Sequence, residues 1–112
     1  MINKGMERIV ILEKIKEIKS KPKVSQKDRI LYYLYNASYL KTNDFFKMGI
    51  ARYSSRINEL KHNDGISINC DMYRDSKVNE YGSHAIHSVY WLPCFHEKPV
   101  IEKRYKLIKE NK

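Results

Sequence analysis

Residues 42–60, TNDFFKMGIARYSSRINEL, have the pattern of two helices joined by a tight turn. Thr42 is a suitable N-cap for a short helix over residues 43–47, which would bury one of its two phenylalanines. Gly49 can adopt the positive φ angle that such a turn requires. A second helix is predicted from about residue 50 to residue 62. The stretch therefore predicts a helix-turn-helix.

The second of these helices is predicted to have two different faces. Apolar or small side chains recur at spacings of three and four residues, at Ile50, Tyr53, Ser54, Ile57 and Leu60. The opposite face carries Arg52, Ser55, Arg56, Glu59 and His62, with Ala51 and Asn58 at its margin. An ordinary amphipathic helix with a solvated outer face would show this pattern too. Arginine and asparagine carry groups that recognise base edges. We favour a helix that reads DNA bases because of the two strands predicted after it.

Two strands are predicted after the helix-turn-helix. Residues 66–72 and residues 86–92 alternate apolar and polar side chains with a period of two, as half-buried strands do. The turn-rich residues 73–83 between them imply a hairpin with a long tip. Trp91 is out of register with its neighbours, so it is predicted to face away from the main core and to contact a terminal helix.

A further helix is predicted before the helix-turn-helix. Ser25 is a suitable N-cap, and the buried stripe of this helix would consist of Ile30, Leu31 and Leu34. The order of helix, helix-turn-helix and hairpin predicts an α+β fold that is mainly α. Over residues 25–92 it is that of a winged helix-turn-helix with a two-stranded β-wing.

Several turn and core positions agree at once with one known motif. The agreeing positions are Leu40 to Thr42 with Lys41 inserted, Gly49-Ile50, Ala51-Arg52, Ser54 to Leu60, and Gly65 with Ile68. The run QKDRILYYLYNASYLKTNDFFKMGIARYSSRINELKHNDGISI, closing with HSVYWL, thus resembles small winged helix-turn-helix proteins of bacteriophages and mobile elements. The sequence departs from that pattern in two ways. The exit from the second helix is one residue longer, and the wing is less basic.

This resemblance implies a sequence-specific double-stranded DNA-binding protein that reads the major groove with residues 50–62. Its commonest use is transcriptional regulation, usually as a repressor. The expected base contacts are Arg52, Ser55, Arg56 and Asn58. Lys41 and Lys47 would contact phosphate near the helix-turn-helix, and Arg74 or Lys77 would do so from the wing.

Two other functions stay open. A replication-origin binder would use the same surface. A protein-binding adaptor, such as a phage anti-defence inhibitor, would instead dock its winged helix on a host protein. The near-neutral wing favours the adaptor, whereas Arg52 and Arg56 on the open helix face favour DNA.

Composition and charge further restrict the class of partner and the cellular location that we expect. The chain has 112 residues and a formal net charge of +9, which suggests a polyanionic partner. Residues 1–27 hold eight Lys or Arg against three Asp or Glu, whereas residues 66–96 hold two against three. No apolar run approaches the ~20 residues that cross a bilayer, so no membrane association is expected. Two cysteines provide no disulfide framework, which is consistent with a bacterial cytoplasm.

Both flanks of the winged helix are predicted to be helical. Residues 1–22 form an amphipathic helix with an apolar stripe of Ile11, Ile15 and Ile18, and residues 97–112 form a basic helix or tail with Ile101, Tyr105 and Ile108 at helical spacing. These helices either pack on the protein's own core or pair across a two-fold axis. We favour the homodimer, because an apolar-striped helix of ~18 residues is marginal alone in water.

No metal site, cofactor or catalytic centre is expected. His84, His87, Cys94 and His96 lie close together in sequence, but their spacing does not match that of a zinc site. No catalytic triad, phosphate-binding glycine loop or nuclease-like acidic cluster is recognisable. The sequence therefore predicts a binding protein and no enzyme.

Overall fold

The computed structural model describes residues 4–98 and 105–107, within which four helices and four strands form an α+β fold. The elements are α1 (Lys4–Ser20), α2 (Gln26–Asn36), β1 (Leu40–Lys41), α3 (Thr42–Lys47), α4 (Tyr53–His62), β2 (Asn69–Asp75), β3 (Ile86–Trp91) and β4 (Tyr105–Leu107). The strands form one antiparallel sheet in the order β1-β3-β2-β4. The predicted two-stranded hairpin is therefore the centre of a wider sheet.

Helix α2 is the central helix of the core. The Ser25 hydroxyl accepts a hydrogen bond from the backbone N–H of Asp28 at 3.2 Å, which confirms the predicted N-cap. Ile30, Leu31 and Leu34 are fully buried, as their spacing predicted. Helix α2 contacts both α1 and α4.

The start of α3 differs from the prediction. Lys41 is the N-cap, and its backbone N–H donates to the Asp44 carboxylate at 2.8 Å. Thr42 lies inside the helix, where its hydroxyl accepts a hydrogen bond from the backbone N–H of Ser88 at 3.2 Å. The prediction of Thr42 as N-cap was wrong because the hydroxyl binds strand β3 instead. Of the two phenylalanines, Phe45 is buried and Phe46 is exposed.

The turn after α3 is longer than predicted. Gly49 has a φ of 77°, which confirms the positive φ expected there. Helix α4 begins at Tyr53 rather than near Ile50, because Arg52 has φ and ψ of −100° and 42°, outside the helical region. Ile50 is nevertheless fully buried, and its N–H donates to the carbonyl of Phe45 at 2.9 Å. Ile50 lies in the turn but fits the apolar spacing of the helix, so the sequence predicted too early a start for α4.

The first strand of the hairpin lies further along the chain than predicted. Ile66 and Ile68 are buried but precede β2, which runs from Asn69 to Asp75. The predicted turn at 73–83 began too early, because Tyr73 and Arg74 still pair with β3. Alternating burial does not separate a paired strand from an extended loop that also lies against the core.

The sheet has two distinct sides. Leu40 and Tyr90 face the helices, on what we call the helix side. Tyr73, Val89 and Trp91 are buried in a separate cluster on the other side, which we call the outer side. Trp91 therefore faces away from the main core, as predicted. Its cluster includes Tyr105 of a strand rather than a residue of a terminal helix.

The C-terminal helix predicted over residues 97–112 is wrong at Tyr105–Leu107. These residues form β4, which pairs antiparallel with β2. The Tyr105 ring packs on the outer cluster, so a residue that helical spacing suggested for a helix stripe instead belongs to a strand. Ile101 and Ile108, the other members of that stripe, lie outside the described residues.

Helix α1 packs on the protein's own core. Its stripe of Ile11, Ile15 and Ile18 is buried with the residues of α2 and α4. The Glu7 carboxylate, also buried, accepts hydrogen bonds from the Ser67 N–H and, at 3.0 Å, from the Ser67 hydroxyl. The apolar stripe on which the homodimer prediction rested thus has an intramolecular partner. The homodimer stays a prediction without support from that stripe.

We expect Glu7→Ala to lower the free energy of unfolding by about 2 kcal/mol, because it removes charge-assisted hydrogen bonds and leaves the Ser67 N–H unpaired. Glu7→Gln keeps an acceptor and should cost less. Glu13→Ala, an exposed change on the same helix, is the control. Urea unfolding measures all three. Equal effects of Glu7→Ala and Glu13→Ala would show that the Ser67 contact stabilises nothing.

We also expect Tyr90 to weaken the fold in alkali. Burial, with smaller contributions from Cys70, raises the pKa of Tyr90 from 10 to about 12. Between these values the unfolded chain has lost a proton that the folded protein keeps, so stability falls as pH rises. Tyr90→Phe should reduce this alkaline loss, measured by urea unfolding from pH 9 to about 12. Tyr81→Phe, at an 85% exposed residue, should leave it unchanged. The reverse ranking would contradict the assignment.

Candidate nucleic-acid interface

Helix α4 presents a polar surface to solvent. Its buried side holds Ile57 and Leu60, with Tyr53 partly buried against Phe45 and Tyr90. Its exposed residues, together with its N-cap, are Arg52, Ser54, Ser55, Asn58, Lys61 and His62. This surface combines small side chains with an amide and two permanent cations. Those are the groups that allow a helix to approach and contact a nucleic acid.

Two contacts hold α4 in its orientation. Lys27, at the start of α2, forms an ion pair with Asp64 just after α4, with 3.1 Å between Nζ and Oδ2. Arg29 donates to the Met48 carbonyl at 3.2 Å, which ties α2 to the end of α3. Helix α2 is therefore bound to the turn before α4 and to the loop after it.

Arg56 and Glu59 do not lie on the open face where the sequence placed them. They are partly buried and pair with each other, with 2.6 Å between Nη1 and Oε1. Both line a shallow pocket of about 390 Å³ beside the start of α2. Four residues separate Arg56 from buried Leu60, or about 40° around the helix, so the burial of Leu60 turns Arg56 toward the core.

Two exposed residues of this surface were missed by the sequence analysis. Ser54 had been assigned to the buried face, and Lys61 was not considered. Ser54, Asn58 and Lys61 are spaced by four and three residues, so they form one row on the exposed helix. That spacing is the signal that could have identified them.

Lys41 lies on the other side of the sheet from α4. Its Nζ donates to the Tyr105 hydroxyl at 3.0 Å and lies 4.7 Å from the centroid of the Tyr105 ring. The hydrogen bond to Tyr105 raises the pKa of Lys41, against an opposing effect of burial. Lys41, which the sequence analysis gave a phosphate-binding role, is thus engaged with strand β4.

The other cations of the predicted interface are exposed. Lys47 ends α3, Arg74 lies on β2, and Lys77 lies in the hairpin tip. Within residues 4–98 and 105–107, neither these three nor Arg52 forms an ion pair. Among the described residues, no acid neutralises their charge.

The acidic residues of β2 lie on the outer side of the sheet, away from α4. Asp71 forms an ion pair with Lys98 at 3.2 Å, and Asp75 lies 3.1 Å from His87 Nε2. Pairing of Asp71 with Val89, and of Tyr73 with His87, fixes this arrangement, because directly opposed residues share a side. Strand β2 therefore directs its two acids away from the side that carries Arg74.

The clustered histidines have protein partners. His84 Nδ1 lies 2.8 Å from the Asp75 carbonyl oxygen, and His96 Nε2 lies 3.1 Å from the Tyr35 carbonyl oxygen. Across the part of the chain that the structure describes, no three His, Cys, Asp or Glu side chains are grouped so that they could hold a metal ion. In the same part, no helix has the length and apolar character needed to cross a membrane.

Comparisons of the chain with protein-family models, curated proteins and solved structures found no match. The function is therefore inferred from the surface of α4, the charge on the sheet and the order of the elements.

We expect the Arg56–Glu59 pair to contribute weakly to stability. Its two side chains remain about a third exposed, and such pairs contribute roughly 0.2–1 kcal/mol. A double-mutant cycle with Arg56→Ala and Glu59→Ala, followed by urea unfolding, measures the coupling. The same cycle with Arg52→Ala and Glu59→Ala should give none. Equal coupling in both cycles would mean that the pair in the structure does not form in solution.

Proposed function

We propose that the protein is a winged helix-turn-helix that binds double-stranded DNA, with α4 entering the major groove. The order α2, β1, α3, α4, β2, β3 supports this fold, as does the pairing of β1 with β3 beside the hairpin. The observation that carries the proposal is the exposed row of Ser54, Asn58 and Lys61 on α4. The other described helices do not cover it. The opposite side of α4 is buried in the core through Ile57 and Leu60.

The dimensions and side chains of α4 suit a major groove. An α-helix with side chains is about 10–12 Å across, and the groove is about 12 Å wide. Ser54 and Ser55 allow close approach, and the Asn58 amide can pair with the edge of adenine. Arg52, at the start of the helix, is the candidate for guanine. Arg56 is assigned a bracing role, because its guanidinium is occupied by Glu59.

Cations precede and follow α4 in the fold. Lys47 precedes the turn, Lys61 lies in the last turn of α4, and Arg74 lies on the helix side of the hairpin. Lys77 instead lines a pocket on the outer side with Asp75, His87 and Tyr105, so it is not a candidate for the same contact. Phosphate contacts fix the register of a protein on DNA, while the base contacts specify the sequence. A formal net charge of +9 supports such a partner.

Transcriptional regulation, as a repressor of a phage or mobile element in a bacterial cytoplasm, is the role we assign to this binding. A replication-origin binder would use the same surface, and the bound sequences would separate the two roles.

A protein-binding adaptor is the second candidate, and the exposed apolar residues of α1 favour it. Met6, Ile9 and Leu12 are 54%, 59% and 40% exposed on the side of α1 away from the core. An apolar surface of this kind suits a protein partner. In an adaptor, α1 could cover α4 with its stripe of Ile11, Ile15 and Ile18. That stripe instead packs on α2 and the core, and the polar surface of α4 stays exposed.

The test is selection of bound fragments from a random double-stranded DNA library at a stated low salt concentration. We expect one enriched sequence. Asn58→Ala and Arg52→Ala should each lower affinity for it by ~1–3 kcal/mol, with the loss concentrated at one base position. Lys16→Ala, an exposed charge change on α1, is the control for net charge.

Thermal unfolding of each variant checks that the fold is retained. The absence of any enriched sequence would overturn sequence-specific DNA binding and leave the adaptor as the better candidate. Equal losses with Lys16→Ala and Arg52→Ala would instead show that only net charge matters at Arg52.

A further inference from the structure

Strand β4 places a lysine directly opposite an arginine of the hairpin. In the antiparallel pairing of β2 with β4, Arg74 is opposite Lys106. Arg74 is also opposite Ile86 of β3, so it lies in the middle of three paired strands. Both Arg74 and Lys106 are exposed.

These two cations project to the helix side of the sheet. Their strand neighbours Tyr73 and Tyr105 belong to the outer cluster, and successive residues of a strand point to opposite sides. Arg74 and Lys106 therefore share the side on which α4 packs. The outer side holds Asp71 and Asp75, so the two acids of β2 are directed away from them.

The juxtaposition of the two cations is unfavourable without an anion. Like charges directly opposite in a β-sheet destabilise it. Among the described residues, neither Arg74 nor Lys106 has an acidic partner within ion-pair distance. An anion supplied from outside the chain would relieve the repulsion and bind to both side chains.

We propose that β4 completes the wing, and that Arg74 and Lys106 together bind a backbone phosphate of double-stranded DNA. This inference rests on the proposed function and extends it to a segment outside the hairpin. It also accounts for the near-neutral charge of the hairpin, because the missing cation comes from the C-terminal strand.

Lys41 is a positioning residue for this contact. Its hydrogen bond to the Tyr105 hydroxyl connects β1, at one edge of the sheet, to β4 at the other edge. The adjacent residue, Lys106, is thereby held in register with Arg74. Lys41, which the sequence analysis assigned to phosphate binding, would then act indirectly, by positioning the strand whose Lys106 binds the phosphate.

The experiment measures the salt dependence of DNA affinity for the full chain, on one selected and one unrelated duplex. Lys106→Ala and Arg74→Ala should each reduce the slope of log affinity against log salt by about 0.9 and weaken binding about tenfold near 0.1 M salt. The losses should be equal on the two duplexes, because phosphate contacts carry no sequence information. Lys106→Arg should retain the slope of the parent protein.

Lys98→Ala is the matched control, because it removes one positive charge from the outer side of the same sheet. Its slope should remain that of the parent. A loss equal to that of Lys106→Ala would reduce the effect to net charge and overturn the inference. Circular dichroism of each variant confirms the fold, and Lys106→Thr provides a second neutral variant with a strand-forming residue.

The two levels of proposal fail in different ways. If the parent protein binds neither duplex at low salt, the proposed function fails, and the inference fails with it. If the parent binds while Lys106→Ala, Lys106→Thr and Arg74→Ala all keep its salt slope, only the inference is overturned. Tyr105→Phe should lower the slope partially, since it removes the acceptor for Lys41 and leaves the Lys106 charge in place.

Discussion

The second half of strand β3 packs against other elements on both of its sides, and the rest of the structure depends on that constraint. Tyr90 packs edge-on against Phe45, with 5.6 Å between ring centroids, which joins the sheet to α3 and α4. Its neighbours Val89 and Trp91 point the other way and form the outer cluster. One strand therefore fixes the orientation of the helix-turn-helix on one side and the docking of β4 on the other.

The parts of the fold predicted correctly are those that local physical chemistry determines. The Ser25 cap, the buried stripe of α2 and the positive φ of Gly49 each depend on a few neighbouring residues. The start of β2 and the strand at Tyr105–Leu107 depend on pairing between distant segments. Ile66 and Ile68 continue the apolar alternation ahead of β2, so the period alone could not locate its first paired residue.

In the candidate site, too, local features were predicted correctly and tertiary contacts were not. Exposure of Arg52, Ser55 and Asn58 was predicted from helical spacing, and the structure agrees. The surroundings of Arg56 and Lys41 were not predicted, because each depends on tertiary contacts. Arg56 turns toward α2 with the burial of Leu60, and the partner of Lys41 lies 64 residues away. The sequence gives the charge of a side chain but not the group with which that side chain pairs in the fold.

The link between Lys41 and Tyr105 orders events during synthesis. At ribosomal rates of roughly 5–20 residues per second, the 64 residues between them take about 3–13 s to translate. Until Tyr105 has left the ribosome, the outer cluster lacks one of its rings, and Trp91 is left less covered. Phe95 is the last described residue that packs on the helical core, so that core needs no residue of β4. The nascent chain can thus form the α4 surface before the sheet is complete, and the wing matures last.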